Sequence, residues 1–169
     1  SDHVSSMRPV FDSLIRCMNE SNSAYLPKDS TFFWSAEYYL LLNYGYLRDG
    51  LVEEFPSSGE LMIPIQVAEE YGRALFEAYD GLPELPEGSR ADFDESWNAY
   101  FIPITESALT DTVIKGNTAR PSGTRIVSVD YIDVLSDEIL SSWEFVMSEN
   151  KYVPAGEEQL FYYSVVGVS

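Results

Sequence analysis

The stretch PKDSTFFWSAEYYLLLNYGYL, residues 27–47, constrains the fold more than any other part of the chain. Wound as a helix, it places Phe32, Phe33, Trp34, Ala36, Tyr38, Tyr39, Leu40, Leu41, Leu42 and Tyr44 around nearly its whole circumference. A helix that is apolar all round must be buried on most sides. Asp29 or Ser30 can cap its start, and Gly45 or Gly50 can end it. A bilayer crossing takes about 20 apolar residues, more than this run supplies. It therefore reads as a central helix wrapped by other elements.

The flanking segments supply the wrapping. SSMRPVFDSLIRCMNESNS, residues 5–23, spaces Met7, Val10, Phe11, Leu14, Ile15 and Met18 as one helical face. Pro9 is tolerated there because it falls in the first turn, after the cap candidates Ser5 and Ser6. Residues 60–88, ELMIPIQVAEEYGRALFEAYDGLPELPEG, change period twice. LVEEF and ELMIPI, joined by PSSG, form a short hairpin, with Pro64 at an edge or strand end because it lacks an N–H. From Gln66 the period is helical, with Val67, Tyr71, Ala74, Leu75 and Ala78 on one face and Glu69, Glu70, Arg73 and Glu77 on the others. Asp80-Gly81 ends that helix, and a proline-punctuated acidic loop comes next.

Beyond residue 95 only strand patterns remain: WNAYFIPI, TDTVIKG, TRIVSVDYIDV, SWEFVMSEN and LFYYSVVGVS. Val127, Val129 and Tyr131 share one face, as do Trp143, Phe145 and Met147, and Leu160, Tyr162, Ser164, Val166 and Val168 line up. Short connections make these strands an antiparallel meander. The expectation is a single α+β domain over residues 1–169, with a helical part at about 4–80 and a sheet at about 96–168. One curved antiparallel sheet would then wrap the N-terminal helices in a cone-like arrangement. A cystatin-like sheet over a helix is the alternative.

This order of elements resembles nuclear-transport-factor-like and SnoaL-like domains, whose cone-shaped fold encloses a pocket. The wording of MIPIQVAEEYGRALFEAYDGLPELPE and NKYVPAGEEQLFYYSV is also similar to secreted or lipid-anchored proteins of Gram-positive gut bacteria. That resemblance implies an extracellular or cell-surface setting, lipid anchoring included, with a cytoplasmic location as the alternative. A chain opening SDHVSS reads as an excised piece or mature fragment, compatible with a removed targeting segment.

Charge and composition exclude several function classes. The formal charge is −18, and residues 57–113 carry twelve acids against only Arg73 and Arg90. Such a field repels nucleic-acid phosphate and anionic lipid. His3 is the single histidine and Cys17 the single cysteine. The chain thus lacks the base of a Ser-His-Asp or Cys-His arrangement, the ligands of a His/Cys zinc site, and a disulfide. Cys17, on an apolar helical face, reads as a buried thiol. Neither G-x-G-x-x-G nor G-x-x-x-x-G-K-[ST] occurs, so no nucleotide cradle is expected, and no cofactor is assigned.

Carboxylates and aromatics remain. Asp92, Asp94 and Glu95 in DFDESW offer oxygen ligands at a spacing that suits calcium, without the glycine and distal glutamate of an EF-hand. Asp130 and Asp133 with Tyr131 are the catalytic candidates, since a pocket aspartate beside a tyrosine can serve as a base. Trp97, Tyr100, Tyr162 and Tyr163 are the binding candidates, because tyrosine and tryptophan anchor recognition surfaces. The functional expectation is a non-enzymatic binding or interaction module of an exported or surface-anchored protein. Its partner would be a protein, peptide or small molecule, and a homodimer is compatible. The alternative is a small-molecule-binding protein or enzyme that uses an Asp/Tyr-lined cone pocket.

Overall fold

The computed structural model describes residues 3–169. Helix α1 (Arg8–Ser21) comes after a 3-10 turn at Val4–Met7. Helix α2 (Ser30–Tyr44) leads into a second 3-10 turn at Gly45–Arg48. Strands β1 (Glu53–Phe55) and β2 (Glu60–Pro64) precede helix α3 (Ile65–Leu75). Strands β3 (Asp92–Asp94), β4 (Ala99–Pro103), β5 (Thr110–Ala119), β6 (Arg125–Asp133), β7 (Ile139–Glu149) and β8 (Tyr163–Val168) complete the chain. The α+β class and the helices-first order are as the sequence implies.

The central helix behaves as its composition demands. Asp29 caps α2, its Oδ1 accepting from the N–H groups of Thr31 at 2.8 Å and Phe32 at 3.1 Å. Phe32, Phe33, Trp34, Ala36, Tyr38, Leu40 and Leu41 are all buried. Helix α3 approaches α2 at Gly72, where an added Cβ would lie 2.9 Å from Cζ of Phe33. On the other side α1 packs on the larger sheet, with the Phe11 and Phe145 rings 4.4 Å apart. The space that an open cone would leave there is filled by such side chains, Val127, Val129 and Met147 among them.

Several expectations need correction. The strands form two four-stranded antiparallel sheets rather than one, ordered β1-β2-β4-β3 and β5-β6-β7-β8. Residues 99–103 pair with β2 and β3 instead of starting the meander. Pro103, which has no N–H to give, ends β4, and the chain then crosses to the larger sheet. Neither Ser5 nor Ser6 caps α1; Ser6 Oγ accepts from the Tyr162 N–H at 3.3 Å.

Helix α3 stops at Leu75, five residues before Asp80. The buried ring of Phe76 draws the chain into an extended turn, and the Glu77 N–H donates to the Val165 carbonyl at 2.8 Å. Tertiary contacts thus override a helix-compatible sequence. The last strand begins at Tyr163, and a bulge opposite Val146 and Met147 turns Val165 inward and Val166 outward. Strict alternation from Leu160 could not show that, because the extra residue of a bulge reverses the facing of the residues beyond it.

Cys17 is fully buried and unpaired, and burial pushes its thiol up to about 11. Thiol reagents near neutral pH should therefore leave the folded protein unlabelled, and Cys17→Ala should cost only ~1 kcal/mol in urea unfolding. Labelling within the mixing time would contradict the burial.

Candidate functional site

Three places in the molecule hold chemistry that the core does not require. The first is a groove of about 390 Å³ bounded by α1, the start of α2 and the loop at 86–90. Its floor is Phe32, Trp34 and Tyr38, yet each of these is at most 4% exposed. The Trp34 indole N–H donates to the Pro83 carbonyl, and the Tyr38 hydroxyl is bonded to Pro103 and Thr105. Arg90 at the mouth pairs with Glu20 and lies 4.5 Å from the Tyr38 ring centroid. The aromatic floor of the groove and the arginine at its mouth are thus already engaged within the protein.

The second is Glu37, on the α3-facing side of α2. Its carboxyl is fully buried, and neither oxygen has a hydrogen-bond partner among the described residues. Burial alone raises its pKa well above the ordinary carboxylate range, which favours the neutral acid. Tyr71, Tyr79 and Tyr100 lie close enough for its charge to bear on their own titration. Nearby, Tyr79 Oη and Arg73 Nε are likewise buried without a hydrogen-bond partner among the described residues. Glu37 was hidden in the sequence by its apolar neighbours; one acid in an all-apolar helix was the available signal.

The third is the outer face of the smaller sheet. Side chains alternate across a strand, so Ile63, Tyr100 and Ile102 face the helices, while Phe55, Met62 and Phe101 face away. The Phe55 ring meets Phe101 and Trp97 edge-on, each at 5.3 Å between centroids. Rings this close touch one another and leave no cage between them, so they present a continuous outward surface. Trp97 is 53% exposed. Its turn is fixed by Asp94, whose Oδ1 accepts from the Ser96 hydroxyl and from the N–H groups of Ser96 and Trp97. Asn98 comes next with φ 50°, in the left-handed region that asparagine tolerates.

The residues singled out by sequence are distributed differently from expectation. Trp97 and Tyr100 lie on opposite faces of one sheet, with Tyr100 packed 4.7 Å from Trp34. Tyr163 opens the other sheet's last strand and Tyr162 immediately precedes it, stacked on His3 at 3.9 Å. The four binding candidates therefore form no common surface, because Trp97 sits in the turn before β4 while Tyr100 faces the helices, neighbouring strand positions alternate faces, and two sheets replace one.

The catalytic candidates separate for the same reason. Tyr131 points into the core and bonds Thr110, whereas Asp130 on the opposite face accepts from Ser142 Oγ at 2.8 Å. Asp133 caps the β6–β7 turn through the N–H groups of Leu135 and Ser136. Asp94 commits its oxygen to the turn, and the Ser96 hydroxyl and Trp97 N–H hold its carboxyl below the usual range. Asp92, Asp94 and Glu95 do not converge, and no group of three potential metal ligands converges anywhere among the described residues. No helix among them is long and apolar enough to cross a membrane.

The β6–β7 turn also exposes aliphatic side chains, Leu135 at 81% foremost. They offer area without aromatic or hydrogen-bonding direction, and so specify less than the Trp97 surface does. No family model, curated protein or solved structure matches the chain.

Proposed function

We propose that this protein is a non-enzymatic binding module that recognises its partner with the outer face of the smaller sheet. The observation that carries this reading is the half-exposed Trp97, locked by a capped turn and packed edge-on against Phe55. A large rigid ring held at a surface gains contact area on binding with little loss of conformational freedom. The catalytic alternative has no comparable support: Asp130 and Tyr131 face opposite ways, and the helix-to-sheet interior is filled. The likeness to nuclear-transport-factor-like domains rests on element order. The exported or surface-anchored setting rests on the wording of residues 62–87 and 150–165. Both belong to this reading as proposals.

Selection of a random peptide library on the immobilised protein tests the reading. Enriched peptides should bind Trp97→Ala roughly 30-fold more weakly than the parent, the loss typical of an interface anchor. Peptides that bind both proteins equally would overturn it.

A further inference from the structure

We infer that the Trp97 face takes an extended, arginine-rich segment of another protein, an inference that rests on the recognition role proposed above. Register supplies the argument. Glu53, Met62, Phe101 and Asp92 lie opposite one another in one row across all four strands. Phe55 and Glu60 are neighbours in the next row. The aromatic surface is therefore flanked by a carboxylate on each edge strand, with a third carboxylate beside Phe55. No lysine or arginine among the described residues forms an ion pair with Glu53, Glu60, Asp92 or Glu95. The bases nearest in sequence are occupied elsewhere: Arg48 with Glu70, Arg90 with Glu20, and Arg73 between the rings of Tyr79 and Tyr152.

Uncompensated carboxylates around exposed rings are complementary to guanidinium, which pairs with carboxylates and stacks on aromatic faces. A second copy of this chain would bring like charge against like, and nucleic acid or an anionic membrane would be repelled. Spacing favours an extended partner. Adjacent strands lie about 4.8 Å apart, so the row from Glu53 to Asp92 spans about 14 Å. Side chains two residues apart on an extended peptide repeat at about 6.8 Å on one side. Arginines at alternate positions thus set one side chain near Glu53, one over the Phe101 and Trp97 rings, and one near Asp92.

The test uses the whole protein and a labelled peptide of alternating arginine and glycine, followed by fluorescence anisotropy at low and physiological salt. The expected result is saturable binding that weakens roughly tenfold in Trp97→Ala, which leaves the charge unchanged, and again roughly tenfold in Glu53→Gln/Asp92→Asn. A glutamate-for-arginine peptide should not bind. Equal binding to the parent and to Trp97→Ala would overturn the inference, since the peptide would then be responding to the acidic field as a whole. Absence of binding would overturn it too. If library peptides require Trp97 but show no excess of basic residues, the partner class is wrong and the recognition face stands.

Discussion

Glu37→Gln is expected to be more stable than the parent at neutral pH, by a margin that widens as pH rises. In the unfolded chain Glu37 titrates at ~4.3, whereas burial without a partner raises its folded pKa well above that. Between those two values the folded protein keeps the proton and the unfolded chain has lost it. The unfolded state then binds fewer protons, so rising pH lowers the parent's stability through this window. The slope is about 1.4 kcal/mol per pH unit for one group, and the stabilising contribution of the neutral acid is lost as pH climbs toward the folded value. Glutamine has nearly the same shape and does not titrate there. Urea unfolding of both proteins across the pH range isolates the effect from the chain's other carboxylates, which are common to both. A gap that stays constant with pH would mean that Glu37 is ionised or partnered in the folded protein.

Arg48→Met should destabilise the domain by ~3–5 kcal/mol, a large share of the 5–15 kcal/mol typical of such a fold. Arg48 and Glu70 are only 5% and 3% exposed, and the guanidinium holds the carboxylate with two bonds, Nε to Oε1 at 2.8 Å and Nη2 to Oε2 at 2.5 Å. The same arginine donates to the Glu158 carbonyl at 2.7 Å and approaches Glu157 at 3.4 Å. It thereby ties the turn after α2 to α3 and to the segment before β8. Removing it leaves a buried anion without a counter-charge, which costs more than the pair itself contributes. Arg48→Met/Glu70→Leu should recover most of the loss, because neither charge is then stranded. A single substitution costing less than ~1 kcal/mol would show that water reaches Glu70 more freely than its burial implies.

How much of the fold was legible in the sequence depends on the range of each interaction. The α2 cap at Asp29 and the burial of α2 were legible because capping and all-round apolarity are local patterns. The common face of Val127, Val129 and Tyr131, and that of Phe145 and Met147, was legible for the same reason, although which face turns inward was not. The Arg48–Glu70 pair was not, since an acid on a helix reads as solvated until a partner 22 residues away is seen to cover it. Glu70 was accordingly placed on an outer face and is buried. Two sheets replaced one because pairing partners are chosen by tertiary packing, which short β-branched runs do not encode individually. At the site, Trp97 was recognised as an aromatic of interest, whereas Phe55 and Phe101 became its companions only through the β1-β2-β4 register. Tyr100 was assigned to the same surface and faces the helices instead.

Amide chemical-shift mapping of the protein during titration with the alternating arginine–glycine peptide tests the central claim most directly. The account expects shifts concentrated on Glu53–Phe55, Glu60–Pro64 and the Asp92–Pro103 hairpin, with the Trp97 indole N–H among the largest. Shifts centred on the α1–α2 groove, or spread evenly over the acidic surface, would contradict it.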